Sequence, residues 1–257
     1  MDKKKLIEKI IQKKEFSQLP KRDVELSFEK FDKDIYCDEE KIKLTRDLLR
    51  KVFSGFTSRK ILSPKDKNFE WILRKHLSTR ERLPYYEEVY QRILNGLGKQ
   101  INIIDLGAGI NGFSYNYIRK LGYDINYVGI EAIGQFVELM NNYFEREKIK
   151  GKAISLSLFN LLRIKNLIKI QKKPRIVLLF KTIDSLEMLK KNYSKKLILE
   201  IAPLVERIVV SFATESMAKR TKFRVKRNWI VNFIRENFKV RDDFELGGER
   251  YLVFSKK

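Results

Sequence analysis

The sequence of 257 residues predicts an α/β fold in which helices flank a mostly parallel sheet. From Ile101 onward, short β-branched runs alternate with helical patterns, as in parallel strands joined by right-handed helical crossovers. The last two runs are separated by Gly247-Gly248, which predicts an antiparallel hairpin. Upstream of these runs only helical periodicity occurs. We therefore expect a helical domain over residues 1–97 and an α/β domain over residues 98–257.

Runs rich in Val and Ile, bounded by turn residues, define the predicted strands. They lie at 101–105, 125–130, 152–156, 175–180 and 207–212, with hairpin strands at 239–246 and 249–255. Phe136, Val137, Met140 and Phe144 recur at helical spacing and predict a helix over 132–147. A parallel sheet that ends in an antiparallel hairpin is the usual arrangement of Rossmann-like class I methyltransferases.

Composition points to a polyanionic partner. The chain contains 55 Lys and Arg against 33 Asp and Glu, a net charge of +22, and a field of that sign attracts nucleic acid. The alternative is a lysine-rich surface without a partner, but such surfaces usually add Glu in step with Lys, and here Glu falls behind. These numbers favour RNA or DNA over a protein or small-molecule substrate.

Residue types and segments that are rare or missing argue against several classes of protein. With one cysteine, Cys37, and one histidine, His76, a disulfide framework or a Cys- or His-based metal site is not expected, so we predict no metal. The charged first 16 residues contain no apolar core of a signal peptide, and no run of about 18 apolar residues occurs. We expect a cytoplasmic protein without a membrane segment, and a monomer.

The strongest local motif predicts a cofactor site at the end of the first strand. An apolar run leads into Asp105-Leu106-Gly107-Ala108-Gly109, where glycines let the backbone turn sharply and approach a ligand. Glu131 ends the second strand, where its carboxylate could accept hydrogen bonds from two ribose hydroxyls. Gly112 completes the spacing of a dinucleotide fingerprint, so a dinucleotide stays an alternative, as does a glycine turn without a ligand. The leading aspartate and the hairpin after the fifth strand favour S-adenosylmethionine.

Four further motifs resemble one enzyme family. They are HLSTRERL at 76–83, DLGAGIN at 105–111, FKTIDSLE at 180–187 and VSFATES at 210–216, followed by Trp229 and the Gly247-Gly248-Glu249 turn. In this order they resemble the aminoglycoside-resistance 16S rRNA methyltransferases, which modify guanine N7 in the decoding site. The resemblance covers about residues 70–257. Departures include Ala108 and Gly112, where the family typically has Cys and Pro, so a housekeeping relative also fits.

The resemblance implies roles for individual residues. Ser78, Thr79 and Arg80 would close the cofactor pocket, with Arg80 on the methionine carboxylate. Asp105, Gly107 and Gly109 would line the methionine side, Glu131 would hold the ribose, and Lys181 would lie beside the transferred methyl group or the target base. The family's aspartate after strand three is absent here, where Ser157, Leu158 and Asn160 stand; we assign Leu158 to the cofactor.

A basic stretch after the fifth strand is the predicted RNA contact. It contains Lys219, Arg220, Lys222, Arg224, Lys226 and Arg227. The alternative is a solvated loop. With the helical domain as a second docking surface, the expected partner is small-subunit rRNA or the assembled small ribosomal subunit.

The chemistry favours a ring nitrogen as the methyl acceptor. Guanine N7 has a free lone pair and needs no general base, whereas cytosine N4 usually requires an Asn/Asp-Pro-Pro-aromatic motif after strand four. Phe180-Lys181-Thr182-Ile183 stands there instead. Cytosine N4 or another rRNA or tRNA base stays an alternative. The alternative from another class is a non-catalytic RNA-binding or ribosome assembly factor on a methyltransferase fold.

Overall fold

A seven-stranded sheet forms the centre of the protein, whose computed structural model describes residues 2–54, 68–214 and 227–257. The strands are β1 (Gln100–Leu106), β2 (Asp124–Glu131), β3 (Gly151–Ser155), β4 (Arg175–Phe180), β5 (Arg207–Ala213), β6 (Phe238–Leu246) and β7 (Glu249–Lys256). The order across the sheet is β3-β2-β1-β4-β5-β7-β6. Each predicted strand is confirmed, with ends displaced by no more than one residue.

The helices that the structure describes fall into three groups along the chain. The first group is α1 (Lys3–Ile11), α2 (Lys21–Glu29) and α3 (Asp38–Leu49), continued by a π-helical turn at Arg50–Ser54. The second is α4 (Phe69–Lys75), α5 (Leu77–Arg82) and α6 (Tyr86–Leu94). The third connects the strands: α7 (Tyr115–Lys120), α8 (Gly134–Arg146), α9 (Leu161–Lys169), α10 (Ile183–Leu189), α11 (Tyr193–Ile201) and α12 (Asn228–Asn237). None of these described helices is long and apolar enough to cross a membrane.

Strand pairing follows the predicted topology. β1 pairs in parallel with β2 and β4, β2 with β3, and β4 with β5, whereas β7 pairs antiparallel with β5 and β6. The strands β2 and β3 thus lie on one side of β1, and β4 and β5 lie on the other. Open α/β sheets bind ligands at such a change of strand order, beyond the carboxyl ends of the strands.

Each face of the sheet is covered by a separate apolar core. Side chains of α4, α6, α7 and α8 cover one face, with Ile103, Tyr127 and Leu178 from the strands. Side chains of α9 to α12 cover the other, with Ile104, Val177 and Val210. Helices α4 and α6 thus share a core with the sheet although they precede it in sequence; the predicted domain boundary at residue 97 stays a prediction.

The first three helices form a smaller core of their own. Leu6, Ile10, Val24 and Phe28 are buried there with Leu49, and the cluster includes Ala132 from the segment after β2. This contact brings the N-terminal helices to the carboxyl edge of the sheet. The fold therefore places two distant parts of the chain around the predicted site.

Candidate functional site

A cavity lies at the carboxyl ends of β1, β2 and β4, where the motifs predicted it. Seven of the nine residues predicted for the cofactor and the chemistry line it: Ser78, Thr79, Gly107, Gly109, Glu131, Leu158 and Lys181. Asp105 and Arg80 are not among the lining residues.

The loop after β1 needs glycine for conformation and for space. Gly107 has φ +77° and Gly109 has φ +54°, a region that favours glycine. A Cβ on Gly107 would also lie 2.8 Å from the side chain of Thr182. Because Thr182 Oγ1 donates to the carbonyl of Leu106 at 3.0 Å, it cannot move away cheaply. The loop after β1 and the loop after β4 are therefore fitted to each other at the cavity.

The third glycine of the formal dinucleotide spacing packs against a helix. Gly112 lies in a 3-10 turn, Asn111–Ser114, and a Cβ there would lie 2.7 Å from the ring of Phe144 and 3.0 Å from the sulfur of Met140 on α8. Its role in the structure is this close approach, which explains the spacing without a dinucleotide.

Glu131 is held at the end of β2 by backbone donors. Its Oε2 accepts from Gly109 N at 2.7 Å and its Oε1 from Ile133 N at 2.9 Å. Burial raises the pKa of this carboxyl above its ordinary value, although these N–H groups oppose the shift. A carboxylate offers about four acceptor positions, and the backbone N–H groups of Gly109, Ile133 and Ala132 leave room for a ligand donor. The glycine turn and this fixed acceptor pair fit the ribose and methionine parts of S-adenosylmethionine.

Asp105 anchors the loop after β1 through buried hydrogen bonds and does not line the cavity. It is fully buried, and its Oδ2 accepts from Asn111 Nδ2 and Tyr127 OH, each at 2.7 Å. Burial raises the pKa of Asp105, although both donors oppose the shift. Asn111 also accepts from Tyr86 OH at 2.9 Å. In this structure the carboxylate of Asp105 anchors the loop, and its contact with the methionine moiety stays a prediction.

Arg80 is exposed and does not line the cavity, so its contact with the methionine carboxylate stays a prediction. On α5, residues 78, 79 and 82 share one face because they are spaced by three and four; this face is buried, whereas Arg80 is exposed. Arg82 lines the cavity instead. The motif at 76–83 contains both arginines, and the periodicity of the helix determines which of them faces the cavity.

Arg82 and Lys181 enclose a buried glutamate. Arg82 Nη2 lies 2.7 Å from Glu249 Oε1, and Lys181 Nζ lies 3.3 Å from Glu249 Oε2 and 2.6 Å from Glu81 Oε2. Burial alone would raise the pKa of Glu249, but the charges of Arg82 and Lys181 outweigh it and lower the pKa. Glu249 is therefore a carboxylate that fixes two cations at the cavity wall.

His76 lies against the same wall. It packs edge-on against Phe136, with ring centroids 5.9 Å apart. Burial lowers the pKa of its imidazole to about 4, and the positive charges of Arg82 and Lys181 add to the effect. His76 is therefore neutral at physiological pH.

The N-terminal helices also contribute to the cavity, a contribution that the sequence motifs did not predict. Asp23 of α2 and Val52 and Phe53 of the π-helical turn line it. No local motif marks these residues, because their role depends on how the N-terminal helices pack beside the segment after β2.

The predicted RNA-contacting stretch is only partly described. Lys219, Arg220, Lys222, Arg224 and Lys226 lie outside the described residues. Arg227 is described: Nη2 lies 2.7 Å from Asp184 Oδ2, and Nη1 donates to the carbonyl of Ala213 at 2.7 Å. It joins the end of β5 to α10 there, and its contact with RNA stays a prediction. Among the described residues, no group of three or more His, Cys, Asp or Glu could hold a metal ion.

A sequence profile of the ribosomal RNA methyltransferase (FmrO) family matches residues 66–231, more than half of the chain. The chain belongs to this family. Similar characterised proteins include a 16S rRNA (guanine(1405)-N(7))-methyltransferase of Proteus mirabilis, 24% identical over 189 residues, covering 72% of this chain and 64% of that protein. The enzyme of the same name from Micromonospora echinospora is 27% identical over 185 residues, covering 70% and 63%. The matches thus span less than two thirds of these relatives' lengths.

Solved structures of two 16S rRNA methyltransferases have the same fold as this chain. The 16S rRNA methyltransferase RmtF, in complex with S-adenosyl-L-homocysteine, superposes with a TM-score of 0.78 at 19% identity over all of both chains. The 16S rRNA methylase RmtB superposes with a TM-score of 0.77 at 16% identity, covering 100% of this chain and 99% of that one. The Rossmann-like class I methyltransferase fold, with its N-terminal helices and C-terminal hairpin, is thereby confirmed.

Proposed function

We propose that this protein transfers the methyl group of S-adenosylmethionine to guanine N7 of 16S rRNA. The observation that carries the proposal is the fixed pair of Glu131 oxygens beside the Gly107–Gly109 turn, in a cavity whose far wall holds Lys181. When bound, S-adenosylmethionine supplies an electrophilic methyl group on its sulfonium. The protein's task is then to bind the cofactor and to position the acceptor base.

The residues around the cavity suit an acceptor that needs no general base. Glu249 is engaged by Arg82 and Lys181, and His76, whose pKa is lowered to about 4 by burial, is a weak proton acceptor. Guanine N7 presents a lone pair without losing a proton. An ammonium has three N–H donors, and two of those of Lys181 face Glu81 and Glu249. The third can donate to an acceptor atom of the base, which would orient its ring.

The substrate part of the proposal rests on charge and on the relatives. A net charge of +22 favours binding to RNA, and the similar proteins named above are 16S rRNA (guanine-N7) methyltransferases by name. We assign RNA contact to Lys219, Arg220, Lys222, Arg224, Lys226 and Arg227, and RNA docking to the helical domain over residues 1–97. The expected partner is small-subunit rRNA or the assembled subunit, in the cytoplasm.

The test is methyl transfer from radiolabelled S-adenosylmethionine to small subunits, naked rRNA, tRNA and bulk protein, followed by identification of the labelled nucleoside. We expect 7-methylguanosine in small-subunit RNA. Labelled N4-methylcytidine would replace the proposed atom, and label only in tRNA or protein would overturn the proposed substrate. The absence of both label and cofactor binding would favour a non-catalytic RNA-binding factor.

A matched pair of glycine variants connects the activity to this cavity. Gly107→Ala forces a side chain into positive φ and against Thr182, so we expect cofactor affinity to fall by roughly 10- to 100-fold, equivalent to about 1–3 kcal/mol. Gly98→Ala is the control, because a Cβ there meets no atom within 4 Å. Calorimetric titration with S-adenosylhomocysteine measures both. Equal affinities in the two variants would place the cofactor elsewhere.

A further inference from the structure

One carboxylate oxygen at the edge of the cavity has no partner among the described residues. Asp23, on α2, is only 2% exposed and lines the cavity, and no hydrogen-bond partner for its Oδ2 occurs in the described part of the chain. Leaving a buried acceptor unsatisfied costs stability, about 1–3 kcal/mol or more for a charged group. Such an atom in a cavity wall indicates a donor that arrives with a ligand.

The other oxygen of Asp23 is fixed by a directed chain of hydrogen bonds. Phe159 N donates to Ser157 Oγ at 3.1 Å, so the hydroxyl proton of Ser157 is available to Asp23 Oδ1, 2.8 Å away. Ser157 lies just after β3, where the sequence lacks an acidic residue. The pairing leaves Oδ1 satisfied and Oδ2 as the acceptor of this cavity-lining residue that has no partner in the described part of the chain.

The position of Asp23 identifies which part of the cofactor it faces. The three parts of S-adenosylmethionine are joined in the order methionine, ribose, adenine. The ribose acceptor Glu131 ends β2, and Lys181 on the methyl side follows β4, which lies beyond β1 in the sheet. The adenine must then extend from Glu131 toward β3, where Asp23, Ser157 and Leu158 lie.

We propose that Asp23 accepts a hydrogen bond from the exocyclic N6 amino group of the adenine, so that a residue of the N-terminal helices selects the cofactor's base. The inference rests on the proposed use of S-adenosylmethionine. Leu158 and Ile133, which also line the cavity, supply apolar surface for the ring, and the amino group is the donor that an unpaired carboxylate oxygen requires.

The charges around Asp23 support this role. Burial raises the pKa of Asp23 to about 7; the hydrogen bond from Ser157 opposes the shift, Glu131 adds to it and Arg22 opposes it. Burial, and to a lesser extent the negative charge of Asp23, raises the pKa of Tyr193 to about 12. Since the N6 amino group donates to the ionised carboxylate, we expect the affinity for S-adenosylhomocysteine to rise as the pH increases through about 7.

The test compares two ligands on three proteins by calorimetry. S-adenosylhomocysteine carries a donor at position 6 of the base, and S-inosylhomocysteine carries an acceptor there. In Asp23→Asn the amide oxygen keeps the bond from Ser157 and the NH₂ group takes the place of Oδ2. Asp34→Asn, an exposed change in the same helical region, is the matched control.

We expect the Asp23→Asn variant to bind S-adenosylhomocysteine about 10- to 100-fold more weakly than the wild type, as for a charge-assisted hydrogen bond. Its preference for the adenosyl over the inosyl ligand should shrink by a similar factor, and its affinity should no longer rise through pH 7. Asp34→Asn should match the wild type. Removing a buried charge should leave Asp23→Asn at least as stable as the wild type at pH 8 in urea.

The outcomes separate this inference from the proposed function. If Asp23→Asn and Asp34→Asn bind alike, or if Asp23→Asn loses both ligands equally, Asp23 does not select the base. Binding by the wild type without methyl transfer to rRNA overturns the proposed reaction and leaves the Asp23 assignment standing. A wild type that binds no S-adenosylhomocysteine overturns both.

Discussion

Lys181 adopts a backbone conformation that lysine seldom uses. Its φ of +54° lies in the left-handed region, which costs a residue with a Cβ about 1–2 kcal/mol. Its N–H donates to Ser211 Oγ at 3.0 Å, and its ammonium lies 2.6 Å from Glu81 and 3.3 Å from Glu249, contacts that hold it there. The turn directs the side chain back over the carboxyl ends of the strands, so the cation stays fixed beside the cavity.

The neutral state of His76 can be tested because the chain has one histidine. Its pKa is lowered to about 4 in the folded protein, against about 6.5 in an unfolded chain. The unfolded chain therefore binds a proton first, and stability present above pH 6.5 is lost as the pH falls toward 4, by about 3 kcal/mol. Proton NMR of the imidazole should show no titration above pH 5.5 in the folded protein. The urea-unfolded chain, as control, should titrate near 6.5; the same midpoint in both states contradicts the prediction.

The sequence could predict the site residues that belong to a local pattern, but not those whose position depends on tertiary contacts. Gly107 and Glu131 were predictable because strand ends and glycine turns are local signals, and both line the cavity. Arg82 was missed in favour of Arg80, since assigning the inward side required the phase of a six-residue helix. Asp23 was beyond reach, because its meeting with Ser157 joins residues 134 positions apart.

At the scale of elements, the C-terminal hairpin does more than close the sheet. β7 pairs with β5 in a register that places Glu249 opposite Ala213 and Tyr251 opposite Ser211. This register brings Glu249 to Arg82 and Lys181, which line the cavity, and Glu249 also accepts from Ser211 Oγ. The strand pattern predicted the ends of the hairpin strands to within one residue. It could not predict that Glu249 meets Arg82, because this contact depends on the pairing of β7 with β5.

The ion pair between α5 and β7 should contribute strongly to stability. In Glu249→Gln, Arg82 becomes a buried cation without a full counter-charge, so we expect unfolding free energy to fall by about 3–5 kcal/mol. Asp124→Asn is the control: its pair with Lys150 has side chains 52% and 68% exposed, and such pairs contribute less than about 1 kcal/mol. Urea unfolding measures both. Equal losses of unfolding free energy in the two variants would mean that burial does not strengthen the ion pair.

For the whole molecule, the positive charge makes substrate binding sensitive to salt. Each phosphate contact with single-stranded RNA contributes roughly −0.7 to the slope of log affinity against log salt. With about six such contacts, affinity for small-subunit RNA should fall roughly 10²- to 10³-fold between about 50 and 200 mM salt. Fluorescence anisotropy with labelled rRNA measures this, and S-adenosylhomocysteine binding, which engages no phosphate, is the control. A flat response for the RNA would remove charge as the basis of recognition.

The cavity wall joins parts of the chain that are far apart in sequence, and this has a thermodynamic consequence. A ligand that touches both Glu131 and the Asp23 end of the cavity adds its binding free energy to the contact between the N-terminal helices and the sheet. Coupling of this kind is reciprocal. A macromolecule that binds the N-terminal helices and favours their contact with the sheet therefore raises the affinity of the cavity for the small molecule, and the small molecule raises the affinity for that macromolecule by the same factor.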